Sequence, residues 1–281
     1  MAELFGFDAY SPKEIAEKVE NVGVVKARLP LLSVVMLGVL AGAFISLGAM
    51  YFTIVASDKN LGFAMTRLLG GLTFSLGLVL VVVAGAELFT GNNLLVMAWV
   101  NKRISTSELL KNWLIVFVAN LIGSIGIVLF VVFSGSWKMA GGSIGEAAVN
   151  IAAYKTSLSF GEAFFRGILC NLLVCLAVWL TLAGRSVVDK IAAIIFPISA
   201  FVAAGFEHSV ANMYFIPLGI LLNRWEMVKG SPASLDMSHL DWPGFIYNLI
   251  PVTLGNIIGG SVLVALVYYT IYRRTAGKST D

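Results

Sequence analysis

Glu207 and His208 stand side by side in GFEHSVANM, residues 205–213, within a run that holds no other charge between Lys190 and Arg224. An ionised side chain at mid-bilayer costs about 2.5 kcal/mol or more, so such residues mark either a pathway or a paired structural node. Imidazole exchanges protons near neutral pH and can both donate and accept hydrogen bonds. His208 is therefore suited to bond, or relay a proton to, something crossing the membrane. A carboxylate attracts no anion; its natural task is to accept charge-assisted hydrogen bonds from backbone amides freed where a helix breaks. Glu87 holds the equivalent place in GAELFTGN, residues 85–92, so one explanation should serve both acids.

The elements that must carry these residues are greasy. The 281 residues are 58% hydrophobic and 12% charged, roughly half the charge of a soluble chain. Six apolar blocks, about 29–56, 68–100, 112–134, 162–184, 191–222 and 245–272, read as an all-α integral membrane protein with six transmembrane helices. The second and fifth exceed 30 residues, or ~50 Å as straight helices against a ~30 Å hydrocarbon core. Helices 2 and 5 are therefore expected to be broken, with irregular backbone buried in protein.

The two halves echo each other. Gly85, Glu87 and Asn92 answer Gly205, Glu207 and Asn212, and ANLIGS (119–124) answers GNIIGG (255–260). Three helices per half is an odd number, which gives two inverted three-helix repeats, the arrangement that places a transport site at the repeat interface. Twelve Lys and Arg fall in the segments on the N-terminal side of the membrane and seven in the others, which predicts cytoplasmic N- and C-termini. Residues 1–28 form a cytoplasmic segment whose helix starts at an S-x-x-E capping box, Ser11 to Glu14. Residues 29–272 form the transmembrane domain and 273–281 a cytoplasmic tail; the loop at 223–244 covers the other face.

Several function classes are disfavoured. No basic cluster suited to nucleic acid occurs, and the first 28 residues, with five acids, are no secretory signal. A single histidine at membrane depth suits neither haem nor a metal centre, so no cofactor and no metal are expected. No G-x-S-x-G turn is present, which argues against an intramembrane hydrolase and for no enzyme activity. Cys170 and Cys175, five apart on one helix, face different ways and read as small core residues. A membrane anchor subunit with no flux stays open as a rival of another class.

GAELFTGN and GFEHSVANM, with NLLVCLAVWL (171–180), GRSVVDK (184–190) and NLIPVTLGNIIGG (248–260), resemble the formate/nitrite transporter family of bacterial and archaeal anion channels. The resemblance covers essentially the whole chain and is nearest to the formate channels. It implies an aquaporin-like fold in the prokaryotic inner membrane and a homopentamer with one pore per subunit. It also implies an Ω-shaped loop at about 82–90 and an S-shaped loop at about 202–208. The family's pore and proton-relay positions fall on Thr90, Lys155, Asn171, Glu207, His208 and Asn256. Its constrictions fall on Phe74, Leu78, Leu88, Phe89, Val174 and Phe201. Formate is the implied substrate, with nitrite, hydrosulfide and acetate as alternatives, and membrane lipid is the surrounding partner. Lys155 would gather the anion, His208 would relay a proton to it, and Thr90 would fix the imidazole tautomer or bond the anion. One departure is the GNN that follows Thr90, where formate channels often carry small hydroxyl residues.

Overall fold

The computed structural model describes residues 9–225 and 236–274. Residues 1–8 of the N-terminal segment, 226–235 of the 223–244 loop and 275–281 of the tail lie outside the described residues. Every regular element among the described residues is helical. Helix α1 (Pro12–Ala27) begins at the Ser11–Glu14 capping box read from the sequence. The same device starts α5 (Thr106–Ser134) at Ser105–Glu108 and α7 (Phe160–Thr181) at Ser159–Glu162. It satisfies end amides that water cannot reach reliably near a membrane.

Helix α2 (Leu31–Ala56) precedes α3 (Phe63–Val79), which widens into a π-helical stretch, Leu80–Gly85. The chain then leaves helical geometry, re-enters as a 3-10 turn at Gly91–Leu95 and continues as α4 (Val96–Val100). After α5 come α6 (Ser143–Thr156), α7, α8 (Val187–Ala203) and α9 (Ser209–Arg224). Helix α10 (Trp242–Ile257) runs through a π-helical stretch into α11 (Val267–Tyr272).

Among the described residues, five helical runs are long and apolar enough to cross a membrane: 31–56, 63–85, 106–134, 160–181 and 242–272. The remaining apolar block is divided between α8 and α9, each too short to cross alone at 17 and 16 residues.

Glycines set how closely the helices approach. A Cβ on Gly42 would lie 1.9 Å from the Asn120 carbonyl oxygen, and one on Gly123 equally close to that of Val39, so α2 and α5 meet backbone to backbone. In the other half, Gly255 on α10 and Gly259 in the π-helical stretch after it come nearly as close to the α7 backbone at Phe164 and Ile168. Small residues at such contacts are how membrane helices gain close packing without a hydrophobic driving force.

Candidate functional site

The two non-helical stretches face each other near the centre of the molecule. Each is entered through a glycine in left-handed conformation, Gly85 at φ +87° and Gly205 at φ +71°, where a side chain would be strained. The backbone amides released there find new partners. Phe89 N–H donates to Asn120 Oδ1 at 2.9 Å, and Ser209 N–H donates to Asn256 Oδ1 at 2.9 Å. Asn120 Nδ2 donates to the carbonyls of Gly38 (2.8 Å) and Glu87 (2.9 Å). Asn256 Nδ2 donates to those of Gly167 (2.8 Å) and Glu207 (3.0 Å). Asparagine performs this task because its amide offers acceptor and donors at once without a charge. The sequence reading had given the freed amides to the carboxylates. In the structure those amides belong to the asparagines.

The carboxylates bind cations instead. Glu207 Oε1 accepts from Lys155 Nζ at 2.8 Å, and its Oε2 accepts from Asn212 Nδ2 at 2.7 Å. Glu87 repeats the pattern with Lys26 Nζ at 2.9 Å and Asn92 Nδ2 at 2.7 Å. Each of these asparagines also donates to a further one, Asn212 to Asn248 and Asn92 to Asn112. Asn248 and Asn112 in turn donate to the backbone carbonyls of Lys155 and Lys26. The two networks correspond in all of these bonds and differ in one: Lys26 Nζ also donates to Asn92 Oδ1 at 3.0 Å, whereas Asn212 Oδ1 is buried without a partner. Lys26 comes from α1, so that helix supplies one of the two half-buried cations.

Each network opens into a chamber. One, of about 410 Å³, is walled by Phe74, Phe201, Phe215, Lys155, Glu207 and His208, among others. The second, of about 320 Å³, is walled by Leu78, Leu88, Lys26, Glu87 and residues of α1. Phe74 and Leu78 are one turn apart on α3, ~6 Å along its axis, so the chambers come close to meeting. The Phe74 and Phe201 rings stand edge to face across the divide at 5.6 Å, and Phe201 stacks on His208 at 6.0 Å.

His208 is fixed at the divide by its place at the start of α9. Its Nδ1 accepts the Ala211 N–H at 3.0 Å as the helix N-cap, which leaves the proton of a neutral ring on Nε2. Nε2 lies 3.0 Å from Thr90 Oγ1 on the opposite stretch. Donation from Nε2 to Thr90 leaves the hydroxyl proton of Thr90 free for a further acceptor. The pair thus keeps one hydroxyl donor unspent beside the Lys155 chamber, which His208 lines, although Thr90 itself lines neither chamber.

The other predicted positions divide clearly. Phe74, Leu78, Leu88 and Phe201 line the chambers on either side of the divide. Phe89 and Val174 line neither; Phe89 packs on Trp113 and Phe117, and Val174 lies in the core. Asn171 and Asn256 are also fully buried, and their amides are occupied. Asn171 Nδ2 reaches Thr90 O, Asn93 Oδ1 and Asn256 O at 3.2, 2.8 and 2.7 Å, which makes it a brace for the Thr90 stretch. Sequence reasoning passed over Lys26, Asn112 and Asn248 as site residues. Asn120, Asn92 and Asn212 were visible as repeat matches, but nothing gave them a role.

These helices, interrupted strands of backbone and facing chambers define an all-helical membrane protein with a polar divide between two cation-bearing vestibules. The formate/nitrite transporter family model matches residues 13–270. Formate channel FocA of Escherichia coli (strain K12) is 44% identical over 276 residues, covering 95% of this chain and 96% of that protein. A probable formate transporter of Methanothermobacter thermautotrophicus is 38% identical over 281 residues, covering 93% and 97%. A solved pentameric formate channel with formate bound superposes with a TM-score of 0.79 at 40% identity, covering 86% of this chain and 97% of that one. The chain belongs to the formate/nitrite transporter family.

Proposed function

We propose that the protein is a channel for small monovalent anions, formate first, and no enzyme, working as a homopentamer in the prokaryotic cytoplasmic membrane. On this reading residues 29–272 form six membrane helices in two inverted three-helix repeats, aquaporin-like, with helices 2 and 5 broken at about 86–90 and 204–208. The correspondence of the Lys26–Glu87 and Lys155–Glu207 networks, in each of which the carboxylate pairs with a lysine and an asparagine, supports it. Residues 1–28 and 273–281 face the cytoplasm, as the twelve-to-seven charge bias favours, which puts the Lys155 chamber outside.

The observation that carries the function is the Thr90–His208 pair, 3.0 Å apart between the two chambers. A carboxylate passing Phe74 and Phe201 loses water, and an unpaired charge in an apolar ring is strongly disfavoured. The Thr90 hydroxyl, its oxygen held by His208 Nε2–H, replaces part of that hydration. In this arrangement His208 is a neutral donor. Handing a proton to the anion requires a doubly protonated ring, whose Nδ1–H would displace the Ala211 N–H. The lost N-cap bond costs about 1 kcal/mol, within reach of an adjacent anion. Formate-driven swelling of proteoliposomes tests the reading. Swelling with formate, and slower swelling with acetate, is expected; no flux with any small anion would leave the protein an anchor subunit.

A further inference from the structure

Lys155 is the obvious charge to draw anions into its chamber, yet its ammonium is cancelled by Glu207 at 2.8 Å, and its side chain is only 12% exposed. Lys26 and Glu87 cancel in the same way in the other chamber. The charged residues lining the Lys155 chamber are Arg67, Lys155 and Glu207, whereas Lys26 and Glu87 are the ones lining the other. Arg67 therefore leaves the first chamber with a net positive charge and the second with none. The register that sets Glu87 opposite Glu207 and Asn92 opposite Asn212 sets Arg67 opposite Val187, so the repeat does not supply a counterpart.

Arg67 is placed to face what enters. It lies half-buried on the first turns of α3, its guanidinium carbon 5.3 Å from the Phe63 ring centroid. Its Nη1 sits 3.8 Å from the point a Gly205 Cβ would occupy, three residues before His208. No carboxylate pairs with it among the described residues. The carboxamide of Asn150, on α6, lines the same chamber, and its Oδ1 is buried without a partner. A guanidinium offers two parallel N–H donors that match the two oxygens of a carboxylate.

We propose that Arg67 is the anion-capturing residue of the outer chamber, taking planar oxyanions, carboxylates above all, before they reach His208. The inference rests on the anion-channel reading. It makes the channel electrostatically asymmetric: capture from the Lys155 side is aided by a fixed charge, and capture from the α1 side is not.

The test uses the full-length pentamer in planar bilayers, with formate gradients imposed from either face, at about 10 mM and about 1 M total ionic strength. The screening length falls from about 30 Å to about 3 Å between these conditions. For the unaltered protein, entry from the Lys155 side should lose more rate on raising salt than entry from the α1 side. Arg67→Gln should slow that entry about tenfold at low ionic strength, the low end of what a focused charge adds to an on-rate. The loss should nearly vanish at high ionic strength, and Arg67→Lys should retain most of the rate while losing preference for formate over chloride. Equal salt dependence from both faces, or an Arg67→Gln loss of the same size at both salts and both faces, would overturn the proposal. An unaltered pentamer that passes no formate would instead overturn the channel reading beneath it.

Discussion

Lys26 Nζ lies 2.9 Å from Glu87 Oε1 although the two residues belong to different parts of the chain, an amphipathic helix and an interrupted membrane helix. The contact makes α1 part of the chamber wall and not an appendage to it. Glu87 is buried, so its charge depends on that ammonium and on the Asn92 amide. Lys26→Ala leaves the carboxylate without its cation. Removing one partner of a buried pair costs about 3–5 kcal/mol, and because the Lys26 side chain keeps 27% exposure the loss should lie near the lower end. Thermal unfolding of the purified protein should show it, with Glu87→Gln in the same chain restoring part. A double variant no more stable than Lys26→Ala alone would deny the coupling.

The acid sensitivity of α1 follows from Glu20, whose side chain is about 1% exposed. Burial pushes its carboxyl up, but hydrogen bonds from Asn101, Arg103 and Arg273 more than offset this and hold it below the usual carboxylate value. A carboxylate lowered on folding contributes stability that is complete above its unfolded value, about 4.3, and lost as pH falls through the folded value. Amide protection in α1, with exchange rates corrected for their intrinsic pH dependence, should therefore hold from pH 7 to about 5 and fall only below ~4.5. Glu20→Gln, which leaves Arg103 and Arg273 short of a counter-charge, should exchange fast already at pH 7. A flat wild-type profile down to pH 3.5 would contradict the assignment.

Asn120 and Asn256 should behave as equals. Each holds one amide and one carbonyl where the backbone leaves its helix, and one carbonyl of a neighbouring helix. Replacing either with leucine leaves buried backbone groups unpaired, at about 1–3 kcal/mol for each group. Asn120→Leu and Asn256→Leu are thus expected to lower the unfolding midpoint by similar amounts and to reduce the yield of folded protein. A large loss in one and none in the other would break the structural equivalence of the two halves.

Composition and block lengths made the membrane helices legible, and the repeated Gly, Glu and Asn marked where chemistry would gather. The identities of the bonds were not legible. Glu207 and Lys155 are paired across 52 residues, and Glu87 and Lys26 across 61, with each lysine outside the repeated motif; no local pattern joins them. The same distance hid the division of labour between acids and asparagines, because both residue types can accept from an amide and only the fold shows which one reaches it. Arg67 was read as a loop charge counted toward topology. Its significance lies in the cancellation of its neighbours, a property of the assembled chamber.

The last prediction concerns His208, whose two nitrogens have different tasks. Nδ1 caps α9 through Ala211, and Nε2 reaches Thr90. Asparagine can supply both a cap acceptor and a donor, so His208→Asn should still fold and still admit anions, but it cannot hold an extra proton. If His208 serves only as a neutral donor, formate uptake by the variant should follow the same pH profile as the parent protein from about pH 5 to 8. If a doubly protonated His208 hands a proton to the anion, uptake by the parent should rise as external pH falls while the variant's stays flat. We expect the second outcome, because an anion beside the ring compensates the lost Ala211 bond. Thr90→Val provides the control: it removes the hydroxyl but keeps the titratable ring, so it should slow uptake at every pH without flattening the profile. A flattened profile in Thr90→Val, or a parent-like profile in His208→Asn, would remove the proton from the mechanism and leave His208 as a fixed hydrogen-bond donor.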